Sequence, residues 1–363
     1  MKKYFLFLII IIGSKVSAQS SWNKVFTGTV AKVPATMYLQ KIGNEYNGYY
    51  FYDSKQIPIR LTNDGSTSDS VYLAASEYNM NEVFKGVYTL KGLVGKWNKV
   101  VDSNPVYQDF SFTESQGNPP YFDLVYTTFS KEYPAGMEKG SNPRFDYFSS
   151  SLWPIAATPM PLANFLKTWF NANHGRKNSL EPIGKLFLNE KNTGFAEWEK
   201  ELKATKASEI KEYPSGFTHS SERRLLVMYQ SDRFLSLADF SYEFSGGAHG
   251  NYGTSMKTLD LKNLKELKLS DVFTPAGKTK LASLLEQEIR IRFNIAKGKK
   301  LHADDGGELL VSKIEPTENF YITGKGVGFN YTPYEIAAYA YGETNVFIPW
   351  EKLKGLLQAG FGN

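Results

Sequence analysis

The pattern of hydrophobic and polar residues from Trp22 to about Ser115 is β throughout, with runs that often alternate with a period of two. The runs at 35–39, 46–52, 57–61, 71–73, 83–90 and 109–112 are short and rich in aromatic or β-branched side chains, as strands are. Gly43-Asn44, Asn63-Asp64-Gly65 and Lys91-Gly92 supply turns between them. So many short strands in succession predict an all-β meander, curled into a small barrel over residues 20–116. Gly28, Gly48, Gly86 and Gly95 fall within or beside these strands, where a strongly bent sheet needs positions without a side chain. Gln116-Gly117-Asn118-Pro119-Pro120 then reads as a linker.

After Tyr121 the period lengthens. Leu162, Phe165, Leu166, Trp169 and Phe170 share one face of a helix that Gly175 can end. Phe195, Trp198 and Leu202 repeat the pattern in a second helix, expected to run to Pro214-Ser215-Gly216. Both aromatic stripes read as core-facing. Strands at 224–229 and 234–244 lead into the most distinctive segment, Ser245-Gly246-Gly247-Ala248-His249-Gly250-Asn251-Tyr252-Gly253. Its four glycines imply a backbone with several positive φ angles and room for close approach.

A hairpin is predicted from 255–261 and 266–269, and Ser270-Asp271-Val272-Phe273 leads into a helix over 278–296. Leu281, Leu285, Ile289 and Phe293 form the buried ladder of that helix, with Leu284 and Ile291 beside it. Strands follow at 320–323 and 327–331. Thr332-Pro333-Tyr334-Glu335 carries the signals of a helix start: Thr332 as the cap, Pro333 at the first position, Glu335 returning a bond to the cap. That helix is expected to stop at Gly342, before a last strand at 344–349 and a closing helix at 350–357.

The N-terminus has a different texture. Lys2 and Lys3 precede an unbroken apolar run, and Val16-Ser17-Ala18 places small residues before Gln19. This is the pattern of a secretory signal peptide over residues 1–18, cleaved between Ala18 and Gln19. The run is well short of the roughly 20 apolar residues that span a bilayer, so no membrane span is expected. The chain has no cysteine, which excludes disulfides, thiolate chemistry and the acceptor of a lipoprotein anchor. An extracytoplasmic protein, periplasmic or secreted and not a lipoprotein, is the expectation. The formal charge of +5 falls to +2 when Lys2, Lys3 and Lys15 leave with the signal, and no basic stripe points to nucleic acid.

The glycine-rich turn, the Asp260 strand, the Leu269-Ser270-Asp271-Val272-Phe273 step, the 332–342 segment and the 346–349 strand occur in an order that resembles a known family. It is the domain shared by the extracellular part of RsiV-like anti-sigma factors and the non-catalytic part of PdaC-like peptidoglycan deacetylases. The resemblance covers about residues 121–357; Ala338 departs from a proline expected there. It implies an α+β fold in two parts, 121–240 and 241–357. It also makes Gly246, Gly247, His249, Gly250, Tyr252, Pro333, Tyr334, Glu335 and Tyr339 the family motif and a possible binding surface. In RsiV-like proteins the domain is a receptor for lysozyme; in PdaC-like enzymes catalysis belongs to a separate carbohydrate-esterase domain. An RsiV-like receptor also needs a transmembrane helix and a cytoplasmic segment, which this chain is not expected to have.

Local signatures of catalysis are missing. The histidines are His174, His219, His249 and His302, and none lies three to five residues from another, as a metal pair would require. There is no nucleophile elbow of the GxSxG kind. Ser208-Glu209-Ile210-Lys211 matches SxxK without its companion motifs and reads as a helix end. His249 could be a base or ligand held by the glycine turn, but a ring bonded to the turn's own backbone is the favoured reading. Asp304-Asp305-Gly306-Gly307-Glu308 lacks the alternating oxygen spacing of a calcium loop and reads as solvated.

The sequence thus predicts an exported, non-enzymatic binding protein of the cell envelope, without cofactor or metal, recognising a cell-wall glycan or a lysozyme-like protein. The alternative is an envelope hydrolase acting on peptidoglycan or carbohydrate, with a site assembled from dispersed carboxylates that leave no motif.

Overall fold

The computed structural model describes residues 21–68, 70–77, 80–101, 104–133 and 142–362. The predicted signal peptide, with Ala18 and Gln19, lies outside them. The described chain is α+β: a closed barrel, a six-stranded sheet with helices, and a three-stranded sheet with a long helix. No helix among the described residues is long and apolar enough to cross a membrane.

The barrel is an antiparallel meander of eight strands: β1 (Trp22–Val30), β2 (Val33–Ile42), β3 (Glu45–Tyr52), β4 (Ile59–Asn63), β5 (Val71–Glu77), β6 (Met80–Thr89), β7 (Gly92–Val101) and β8 (Asn104–Ser115). Closure comes from β1 pairing with β8, Gly28 opposite Phe112. Phe26, Leu39, Tyr50, Leu61, Leu73, Phe84 and Phe112 fill the interior. Gly86 and Gly95 face each other across β6 and β7, and a Cβ on Gly95 would stand 2.5 Å from the Gly86 Cα. Only glycine lets the two strands approach so closely at that bend.

The second sheet has the order β14-β13-β12-β11-β10-β9, from β9 (Phe122–Glu132), β10 (Arg144–Pro154), β11 (His219–Gln230), β12 (Phe234–Ser245), β13 (Asn251–Asp260) and β14 (Lys265–Glu266). All pairings are antiparallel except β10 with β11, whose crossover contains α1 (Met160–Asn173), α2 (Ile183–Ala204) and α3 (Ala207–Glu212). Leu166, Trp169 and Phe170 of α1 pack on Leu225, Val227 and Leu237 of the sheet. The second helix does not reach Pro214. At Thr205 the backbone turns extended and its hydroxyl donates to the Glu201 carbonyl, which ends α2 and leaves α3 as a separate turn and a half. Residue 240 lies inside β12, so the sheet runs through both parts of the 121–357 region.

The C-terminal unit packs α4 (Leu269–Val272) and α5 (Pro275–Arg292) on β15 (Phe320–Thr323), β16 (Gly326–Tyr331) and β17 (Thr344–Pro349). The helix α5 begins at Pro275, where the Thr274 hydroxyl accepts from the Gly277 N–H. Its buried ladder is Leu281, Leu285, Ile289 and Phe293, but Ile291 is 74% exposed and does not join it. Two predicted helices are absent. After Thr332 the chain makes a turn in which Tyr334 has φ +69°, a left-handed conformation that stops an α-helix at once, and only a 3₁₀ turn at Tyr339–Tyr341 follows. The closing segment is a single 3₁₀ turn, Trp350–Leu353.

The barrel is docked on the sheet through β2 and β3. Tyr38 and Phe51 join the core beneath α1, while Tyr49 packs with Leu226 and Met228. The β10–β11 register ends at Ser150 opposite Arg224. Beyond it, barrel side chains take up backbone groups of β11: the Gln40 amide donates to the Leu225 carbonyl at 2.7 Å, and the Gln230 N–H donates to the Tyr38 hydroxyl at 3.2 Å.

Candidate functional site

Strand periodicity builds a wide groove on the six-stranded sheet. Successive side chains of a strand point to opposite faces, so one face of β10–β13 carries Tyr147 and Ser149, then Ser221 and Arg223, then Asp239, Ser241 and Glu243, then Ser255 and Lys257. Register sets these rows side by side: Tyr147 opposite Ser221, Ser221 opposite Glu243, Ser241 opposite Gly253. The helix α2 forms the far wall with Glu190, Glu197, Trp198 and Glu201. The space enclosed is about 1060 Å³.

The floor is a partly buried polar network. Arg223 donates through Nε to Asp239 at 2.9 Å, pairs with the second Asp239 oxygen, and reaches the Asn173 carbonyl at 2.7 Å. Asn173 also donates to Asp239 at 2.8 Å. A further Arg223 nitrogen lies 3.1 Å from His174 Nδ1. An arginine can only donate, so His174 accepts there and carries its proton on Nε2. Burial, helped by the Arg223 charge and opposed by Asp239, pushes the His174 pKa down to about 4, so the ring is neutral at neutral pH. Its Nε2 is buried and has no hydrogen-bond partner.

Two carboxyls of the groove are held above the usual range. Burial raises Glu190, with Glu243 adding to the shift, against the Tyr147 hydroxyl that donates to it at 2.9 Å and the Arg223 charge. Burial likewise raises Glu243, although the Ser221 hydroxyl donates to it at 2.6 Å. Half-buried carboxyls of raised pKa that face one space mark the groove as a candidate functional site.

The family-motif residues gather beside this groove. Gly246 and Gly247 adopt φ of +86° and +102° between β12 and β13. The turn brings His249 onto the Tyr339 ring, and the Tyr339 hydroxyl donates to the Gly250 carbonyl at 2.8 Å. Tyr252 meets Tyr339 edge-on at 5.4 Å between centroids, and Tyr334 lies 5.6 Å away on another side. The His249 ring lies 3.0 Å, through Nδ1, from the neighbouring Gly250 carbonyl, the backbone contact favoured for it. Glu335 accepts from the Thr332 N–H at 2.9 Å, as a capping residue would, though no α-helix follows. Pro333, Tyr334, Tyr339 and Tyr252 line a side pocket of about 360 Å³ that shares Ser241, Glu243, Gly253 and Thr332 with the groove.

Glu190, Arg223, Asp239 and Glu243 are not among the residues singled out from sequence. The available signal was polar residues in strands whose other halves are apolar: an unbroken polar run at 219–224 ahead of Leu225 in β11, and Asp239, Ser241 and Glu243 at every second position after Leu237 in β12. Ser208 and Lys211 sit on α3 away from the groove lining, and His302 contacts Asp304 in a surface loop. Among the described residues no group of three or more His, Cys, Asp or Glu is arranged to hold a metal ion.

Comparison with known proteins matches two segments of the chain. Residues 172–252 match the family described as deacetylase PdaC, and residues 270–351 match a protein family of unknown function, DUF3298. A solved structure of a DUF3298 family member from Bacteroides fragilis NCTC 9343 is 24% identical, covering 66% of this chain and 94% of that one with a TM-score of 0.56. A second, a DUF3298 family protein from Pseudomonas aeruginosa PAO1, is 18% identical over 66% of this chain and 96% of that one, with a TM-score of 0.40. No curated protein matches. The Bacteroides structure shares the α+β fold, and the two matched segments fit an extracytoplasmic, envelope-associated domain. The glycine turn lies in the first segment and Tyr334 and Tyr339 in the second.

Proposed function

We propose that the chain is an exported, non-enzymatic binding protein of the cell envelope, and that the groove with its side pocket takes a stretch of cell-wall glycan. The observation that carries this reading is continuity: an aromatic arm of Tyr252, Tyr334 and Tyr339 runs into a trough of carboxyl, hydroxyl and amide groups. Sugar rings present C–H faces to aromatic rings and hydroxyls to carboxylates, so a glycan uses both kinds of wall. Tyr334 adds support, since it is 53% exposed and sits in a strained left-handed backbone, a combination that clusters at ligand sites.

One observation favours the hydrolase. Glu190 and Glu243 are the sort of raised carboxyls that act as general acids, and they face one space. A single experiment separates the readings. The mature protein is titrated calorimetrically with solubilised peptidoglycan glycan and with lysozyme, and the glycan reaction is followed for released sugar, acetate or peptide. Saturable glycan binding without product is expected. Product that disappears in Glu190→Gln or Glu243→Gln would establish the hydrolase, and binding of lysozyme alone would make the partner a protein.

A further inference from the structure

We propose that the junction of barrel, sheet and C-terminal unit is a second binding site, on the other face of the sheet from the groove and sharing Tyr252 with its side pocket, for a small organic carboxylate anchored by Arg60. The opposite face of β12 and β13 from the groove closes a cavity of about 470 Å³ there, within the range of small-ligand sites. All three units contribute: Arg60 from the barrel, Phe240 and Tyr252 from the sheet, Arg292, Glu343 and Asn345 from the C-terminal unit.

Arg60 is the unusual member. Its guanidinium carbon sits 4.2 Å from the centroid of the Phe240 ring, a cation–π contact that holds the charge at the cavity wall. Arg144, Arg176, Arg223, Arg224, Arg233 and Arg290 each face a carboxylate. Arg60 has no carboxylate within ion-pair distance among the described residues, and its buried Nε has no hydrogen-bond partner. A pinned, partly desolvated cation without a counter-ion is costly, and an incoming anion offsets that cost.

The acid in the wall does not fill the role. Glu343 accepts from the Thr254 N–H, from the Thr254 hydroxyl at 2.9 Å and from the Asn330 amide at 3.3 Å. Arg292, which donates to the Asn345 and Glu343 carbonyls at 3.1 and 3.2 Å, brings a second positive charge to the cavity. The planar fork of a guanidinium matches a carboxylate. Asn330 adds a requirement, because its Oδ1 is buried without a partner. A hydroxyl or amide N–H close to the ligand's carboxylate would satisfy it, which describes a sugar acid or a peptide terminus. Either would tie the barrel to both other units and so raise the melting temperature by mass action.

The test uses the mature chain in low salt with three probes: glucuronate, alanyl-alanine and inorganic phosphate. At least one carboxylate probe should bind saturably and raise Tm, and Arg60→Gln should weaken it by about tenfold or more. The same probe should slow modification of Arg60 by phenylglyoxal in the wild-type protein, a readout that does not depend on the variant folding. Sugar-acid and peptide sources are separated by which carboxylate protects. No binding by either carboxylate, binding of phosphate alone, or Arg60 modified at the same rate with and without the probe would each overturn the assignment. Groove variants such as Glu243→Gln should leave this binding unchanged.

Discussion

The His249 imidazole lies nearly flat on the Tyr339 ring, 4.2 Å between centroids and 26° between planes. One residue belongs to the turn between β12 and β13, the other to the 3₁₀ turn before β17, so the contact clamps the sheet to the C-terminal unit. The Tyr339 hydroxyl on the Gly250 carbonyl completes the clamp. Tyr339→Phe keeps the stack and loses that bond, and should cost about 1 kcal/mol in denaturant melts. Tyr334 stands beside the clamp, exposed and strained. Tyr334→Gly should therefore stabilise the fold by about 1 kcal/mol, by relieving the left-handed backbone, while weakening glycan binding. Loss of stability in that variant would mean the ring is a packing element.

The two glycines of the turn should not be equivalent. Both have positive φ, but a Cβ on Gly246 would meet the Gly216 carbonyl oxygen at 2.3 Å, whereas a Cβ on Gly247 meets nothing within 4 Å. Gly247→Ala should cost about 1 kcal/mol from backbone conformation alone. Gly246→Ala adds the clash and should cost clearly more, about 2 kcal/mol or above. Equal losses would show that the backbone at Gly216 simply moves away.

Glu190 and Glu243 are expected to trade stability for function. A carboxyl whose pKa is raised on folding favours its protonated form in the folded state, so its ionisation at neutral pH works against the fold. Glu190→Gln and Glu243→Gln keep an acceptor for Tyr147 and Ser221 and remove the buried charge. Each should raise Tm at pH 7 and lower affinity for glycan. A lower Tm in both would identify the carboxyls as structural partners of the two hydroxyls.

How far the sequence reached depended on whether a signal was local. The barrel was legible because alternation, turn residues and bend glycines all lie within a strand's length of each other. The cap at Thr332 was legible too, and Glu335 does bond back to it, but the helix it announced does not form. What decides that segment is the left-handed turn at Tyr334 and the Tyr339 contact to Gly250, and the latter is set by a segment far away in the chain. Spacing alone puts Ile291 beside the buried ladder near the end of α5, but among the described residues it stays 74% exposed. The groove escaped for the same reason: Glu190, Arg223, Asp239 and Glu243 are ordinary charged residues until the parallel crossover lays α2 along the strands.

The barrel offers a test of independence. Its interior is its own, and closure leaves no open edge, so residues 20–116 expressed alone should still melt cooperatively. The fragment would expose Tyr38, Tyr49 and Phe51, which pack on β11 in the whole chain, and lose the Arg224–Glu45 pair at 2.9 Å. It should therefore self-associate, and Tyr38→Ser with Phe51→Ser should restore a monomer in sedimentation. A fragment without a cooperative transition would make the sheet part of the barrel's folding unit.

His174 fixes how the fold answers to acid. Its pKa falls from 6.5 to about 4 on folding, so between those values the unfolded chain binds a proton that the folded chain refuses. Stability must then drop as the pH is lowered through this window, and His174 adds no pH dependence above it. The loss between pH 7 and pH 5 from this residue amounts to about 2 kcal/mol. Glu190 and Glu243 act in the opposite sense, since acid returns the protons their folded environment favours, so the wild-type curve shows only the difference. His174→Gln isolates the term: glutamine can still accept from Arg223 but does not titrate. Urea melts of both proteins at pH 7 and pH 5 should show the variant losing less stability than the wild type by about that 2 kcal/mol. Parallel losses would mean that His174 is not held neutral and that the Arg223–Asp239 floor tolerates an imidazolium beside it.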